Sequence, residues 1–70
     1  MRPEKLAMMA NQIATFFDTQ GSGAPEGIAD HLRKFWAPAM RHELVTLASR
    51  NGHGLKPSVV AAVQLLEAGA

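Results

Sequence analysis

Four prolines, Pro3, Pro25, Pro38 and Pro57, each stand at the head of a run with helical spacing. Inside a helix a proline removes one hydrogen bond and clashes with the carbonyl four residues back, at ~3 kcal/mol or more. At the first helical position its missing N–H costs nothing, so these residues divide the chain into four helical segments and mark the start of each. The first, about 3 to 19, sets Leu6, Met9, Ala10, Ile13, Phe16 and Phe17 on one apolar stripe. Gln20-Gly21-Ser22-Gly23 ends it, with Gly21 suited to the left-handed backbone that follows a helix. The second, about 25 to 36, uses Ile28, Leu32, Phe35 and Trp36, and carries Gly27, a poor helix former, in its first turn. The third, about 38 to 50, uses Met40, Leu44, Leu47 and Ala48 and stops at Asn51-Gly52. The fourth, about 57 to 68, uses Val59, Val60, Val63 and Leu66, with Leu55 ahead of the N-cap Lys56 and placed to pack on Val60 as a hydrophobic staple.

No alternating apolar and polar run of useful length argues for a strand. The expected fold is therefore all-α, a small bundle of about four short helices forming one domain over residues 1–70. Between the second and third helices Ala37, which precedes a proline, is pushed out of the α region, and this argues for a sharp corner at Pro38. Ala37 is a poor N-cap, and apolar positions 28, 32, 35/36 and 39/40 stay nearly in phase across the proline. A kinked continuous helix is thus the alternative.

Composition narrows the chemistry. The chain has no Cys, which excludes a disulfide, a thiolate metal site and a thiol nucleophile. A chain of this length buries only ~60% of the surface its unfolded form exposes, which leaves contacts with another chain as the natural source of further stability. A hydrophobic share of 47% and a charged share of 19% are those of a globular chain. The apolar runs fall far short of the ~18 residues of a membrane span, and Met1 to Ala10 lacks the apolar core of a signal peptide. A cytoplasmic protein is expected. The net charge is only +1 but is unevenly spread: residues 1–30 carry −2, while residues 31–56, with Arg33, Lys34, Arg41, Arg50 and Lys56 against Glu43, carry +4. That middle segment would attract an acidic surface.

His31, His42 and His53 are spaced by 11 residues, whereas zinc ligands on a helix stand three or four apart, so no metal site is expected. Ser22, Ser49 and Ser58 fall at helix ends or loops, where serine caps and solvates, and neither glycine-rich stretch follows a strand as a phosphate-binding loop would. Catalysis by this chain alone is not expected. The second helix, the proline corner and the third helix admit a helix-turn-helix reading, with Arg33, Lys34, Arg41 and Arg50 on phosphates. A recognition helix exposes polar side chains on successive turns at its N-terminal end, but the third segment begins Pro38-Ala39-Met40 and offers only Arg41 and His42. A small nucleic-acid or regulatory module therefore ranks below a protein-binding one.

Three adjacent pairs, Met8-Met9, Phe16-Phe17 and Phe35-Trp36, support that ranking. Neighbours on a helix point about 100° apart, so a narrow stripe does not bury both members. One member of each pair is left for an interface, where aromatic, Met and Arg side chains are enriched. The expected contact residues are Arg33, Phe35, Trp36, Met40, Arg41 and Phe17, with Phe35 and Trp36 as anchors and Arg33 and Arg41 paired to acidic groups of the partner.

The order Met9-Ala10-Asn11-Gln12-Ile13, Phe16-Phe17, then Gly27-Ile28-Ala29-Asp30-His31, Arg33-Lys34-Phe35-Trp36, Pro38, Met40 and Arg41, and finally Gly54-Leu55, Pro57 and Val59, resembles the delta subunit of NAD-dependent formate dehydrogenase. The likeness spans nearly the whole chain and departs at Arg2, where that family usually has a small polar residue. It implies an accessory subunit of a soluble cytoplasmic complex that oxidises formate and passes the electrons to NAD. It further implies that the molybdenum cofactor, iron–sulfur clusters and flavin belong to other subunits and that this chain carries none. The implied partner is the large catalytic subunit, with a homodimer a further option for the isolated chain, and the implied role is to stabilise the complex or assist its maturation.

Overall fold

The computed structural model describes residues 2–50 and 53–68. The four segments form α1 (Pro3–Asp18), α2 (Ala24–Phe35), α3 (Pro38–Ser49) and α4 (Pro57–Glu67), and the described residues contain no strand. Each boundary lies within one residue of its expected place; the expected stop at Asn51-Gly52 lies outside the described residues. None of the N-cap residues Arg2, Gly23, Ala37 and Lys56 makes a side-chain capping bond, yet every helix has its proline at one of the first two positions. The helix starts are thus set by the fixed φ of proline rather than by capping side chains.

Trp36 (φ −94°, ψ 142°) and Ala37 (φ −64°, ψ 147°) are both extended, so α2 and α3 are separate helices meeting at a corner. A continuous kinked helix would have required α-region backbone at Ala37, which the ring of Pro38 disfavours.

Helix α2 packs most extensively against α4 and next against α1. The fully buried large side chains are Leu6, Ile28, Leu32, Leu44, Val59 and Val63, and among them lie Ala7, Ala10, Ala14, Ala24, Ala29 and Ala62. The core line of α1 is therefore Leu6, Ala7, Ala10 and Ala14, turned from the stripe of large residues expected there; Met9, Ile13 and Phe17 are half-buried along its edge. Small side chains at the helix contact let the axes approach, and the bulky neighbours close the margins. Leu55 is half-buried against the same core, as its place ahead of the N-cap requires.

The loop before α4 runs through left-handed backbone at His53 (φ 61°) and Gly54 (φ 65°) and is held from α1 by one side chain. Asn11 donates from Nδ2 to the Gly54 carbonyl at 3.0 Å and accepts the Lys56 backbone N–H on Oδ1 at 2.9 Å. Ser58 Oγ donates to Asp18 Oδ2 at 3.2 Å, which sets a carboxylate beside the first turn of α4, where the helix dipole favours it. Asn11→Ala should lower stability by ~1–2 kcal/mol, since both partners lose a bond that water replaces only in part. Thermal unfolding is expected to shift down by roughly 4–8 °C per kcal/mol, with faster amide exchange at Lys56. An unchanged exchange rate at Lys56 would contradict the assigned role.

Candidate functional site

Each of the three adjacent apolar pairs is split by the fold. Met8, Phe16 and Phe35 are 53%, 61% and 71% exposed, while Met9 and Phe17 are half-buried and Trp36 is 8% exposed. Two of these exposed residues belong to one surface feature. Phe16 meets Phe17 edge to face, with ring centroids 5.3 Å apart; Phe17 meets His31 at 6.3 Å; His31 meets Phe35 at 4.8 Å. Phe16, Phe17, His31 and Phe35 thus form a continuous aromatic ridge across the seam of α1 and α2. His31 and Phe35 stand four residues apart on α2 and so lie one above the other on the same face.

Gly27 makes the ridge possible. A Cβ at that position would lie 2.7 Å from Cδ1 and Cε1 of Phe17, so the ring packs directly on the backbone of α2. Gly27→Ala adds helix propensity worth ~1 kcal/mol but forces the Phe17 ring to move. The expected result is a stability change of about 1 kcal/mol or less together with shifted ring-proton resonances of Phe17 and His31. Resonances unchanged from the wild type would show that the ring does not depend on the glycine.

On the outer side of α2 the Lys34 ammonium lies 3.0 Å from Asp30 Oδ2. Both groups are exposed, so the pair contributes only a few tenths of a kcal/mol to the helix.

The expected contact residues are only partly brought together. Phe17 and Phe35 join the ridge through His31. Met40 is half-buried against the core. Trp36 belongs to the core cluster with Leu32, Leu44 and Val59, and so presents almost no surface of its own; the exposed aromatic of that pair is Phe35. Arg41 folds back on the end of α2, where Nη1 donates to the carbonyls of Trp36 at 2.7 Å, Arg33 at 3.3 Å and Leu32 at 3.4 Å. Its guanidinium satisfies orphan carbonyls at the negative end of the helix and holds the corner. Arg33 lies two residues from Phe35, on the opposite flank of α2, with Nη2 3.5 Å from the Leu65 carbonyl. Arg33 and Arg41 meet instead around a separate groove that also touches Pro38, Val45, Leu66 and Glu67.

The expected contact residues do not include Phe16, placed with the apolar stripe, or His31, weighed only as a metal ligand. The spacing of His31 and Phe35 was a usable signal. The packing of Phe17 on Gly27 was not, because it depends on how closely α1 approaches α2. The three histidines sit on α2, on α3 and in the loop before α4, and among the described residues no three His, Asp or Glu side chains gather into a group able to hold a metal ion. No helix of the described residues is long and apolar enough to cross a membrane.

These features define a small all-α protein whose most distinctive surface feature is its series of aromatic rings. Residues 5–63 match the family model described as NADH-dependant formate dehydrogenase delta subunit FdsD, and the chain belongs to that family. It is accordingly a delta subunit of an NAD-dependent formate dehydrogenase complex, and its partners are other subunits of that complex. No curated protein and no solved structure matches the chain.

Proposed function

We propose that the chain is a non-catalytic accessory subunit, working in the cytoplasm, that docks on the large catalytic subunit of formate dehydrogenase through the ridge of Phe16, Phe17, His31 and Phe35 and so supports the stability or the maturation of the complex. The observation that carries this reading is the pair of phenylalanines exposed by 61% and 71% at the two ends of one ring-to-ring series. Exposed apolar residues that are contiguous mark contact surfaces, and large rigid side chains set in a partner's pocket carry most of the binding energy at such surfaces. Arg41 fixes the corner from which Phe35 projects. In the isolated chain the same ridge is free to pair with a second copy, at high concentration.

The test compares the complex made with and without this chain. If the role is maturation, the catalytic subunit made without it contains less molybdenum, and later addition of the purified chain does not restore the metal. If the role is stability, molybdenum is unchanged, the half-life of activity at elevated temperature is shortened, and addition of the chain restores it. A complex with the same molybdenum content and the same half-life in its absence would overturn the reading.

A further inference from the structure

The groove at the corner is a second surface, separate from the ridge. It has a volume of about 500 Å³ and lies between the end of α2, the start of α3 and the last turn of α4. Pro38, Val45 and Leu66 give it apolar walls, and Arg33 and Arg41 place two guanidinium groups at its rim against one carboxylate, Glu67. We infer that this groove binds an acidic, extended peptide segment of a partner subunit, with an aliphatic side chain on Pro38, Val45 and Leu66 and carboxylates on Arg33 and Arg41.

Three observations favour this occupant. Apart from Leu66 and Glu67, the groove residues lie in the segment 31–56 that carries a charge of +4, and the complementary surface is acidic. Arg41 is already oriented, because Nη1 is held by the carbonyls of Trp36, Arg33 and Leu32; its remaining N–H groups are donors of fixed direction. Such preorganisation lowers the entropy lost on binding. Arg33 makes only a 3.5 Å contact to Leu65, at the limit of a hydrogen bond, so a carboxylate takes its guanidinium with little to displace. A nucleic acid fits less well: the groove residues offer a single aromatic ring, His42, on which a base could stack, and Glu67 repels phosphate. The inference extends the docking role by a second contact but does not depend on the ridge, and it is tested on the isolated full chain.

The probe is the blocked peptide Glu-Leu-Glu-Val-Asp, titrated into the isotopically labelled chain at low salt and followed by amide chemical shifts. Saturable shifts are expected at Arg33, Arg41, Val45 and Leu66. Arg33→Gln should weaken binding about tenfold or more, as loss of a charge-assisted bond does. Glu67→Gln should tighten it, and Lys5→Gln, which does not line the groove, should leave it unchanged. The amide counterpart Gln-Leu-Gln-Val-Asn should not bind. The inference is overturned if no saturable shifts appear at millimolar peptide, if Lys5→Gln weakens binding as much as Arg33→Gln, if the amide peptide binds equally well, or if a short oligothymidylate occupies the groove more tightly than the acidic peptide.

Discussion

Trp36→Ala is expected to unfold the isolated chain. Truncating a buried Trp costs ~3–5 kcal/mol, and a domain of this size has roughly 4–10 kcal/mol of stability in total. Trp36 is 8% exposed and packs in the cluster that includes Leu32, Leu44 and Val59, so the site has no solvent to collapse into without moving α2 or α3. Loss of most of the far-UV helical signal at 25 °C, or a urea midpoint near zero, is the expected outcome. Trp36→Phe, which keeps most of the volume, should retain the fold with a lower midpoint. Because Trp36 is the only Trp of the chain, wild-type fluorescence reports on this core, and its emission should shift to the red as the chain unfolds. A Trp36→Ala chain with wild-type stability and a defect only in complex retention would restore Trp36 as a contact residue and remove it from the core.

Phe16→Ala combined with Phe35→Ala should have the opposite profile. Both side chains are mostly exposed, and truncating exposed residues usually changes stability by ~0.5 kcal/mol or less. Hot-spot aromatics at an interface contribute ~2 kcal/mol or more each when truncated, a loss of roughly 30-fold in affinity. The two positions are linked through Phe17 and His31, so their effects should not be additive, and the double variant is the informative one. Retention of the tagged double variant on the complex should fall to background while its helical spectrum and melting temperature stay near those of the wild type. Wild-type retention would mean that the ridge is not the docking face.

The helices were legible because their signals are local. A proline at the head of each segment and a break residue behind it place each boundary within one position, with no help from tertiary contacts. The faces were less legible. On α1 the eye follows Met9, Ile13 and Phe16, but the helices meet on Ala7, Ala10 and Ala14, because the closest approach belongs to the smallest side chains. The adjacent pairs showed that one aromatic of Phe35-Trp36 must face outward without showing which. That choice follows from the corner, which carries Trp36 out of the helix as extended backbone and turns its ring into the core.

Arg41 and Asn11 mark the limit of local reasoning. Arg41 reads in sequence as a surface cation, yet three carbonyls at the end of the preceding helix take one of its nitrogens. A helix end followed closely by an Arg across a tight corner is a pattern that sequence alone could have raised. Asn11 bonds to Gly54 and Lys56, partners 43 and 45 residues away, and nothing in the spacing of the chain points to them. The ridge stands between these cases: its members are visible residue by residue, but their contiguity depends on the register of α1 against α2 and on the missing side chain of Gly27.

The most direct test of the docking face is site-specific photocrosslinking within the assembled complex. A benzophenone side chain is placed in turn at Phe16 and Phe35 on the ridge, and at Ser49 and Gln64, which are exposed on α3 and α4. Crosslinks from positions 16 and 35 to the catalytic subunit, with little or none from 49 and 64, are the expected result. Crosslinks to that subunit from 49 or 64 and none from 16 and 35 would contradict a complex held through the aromatic ridge.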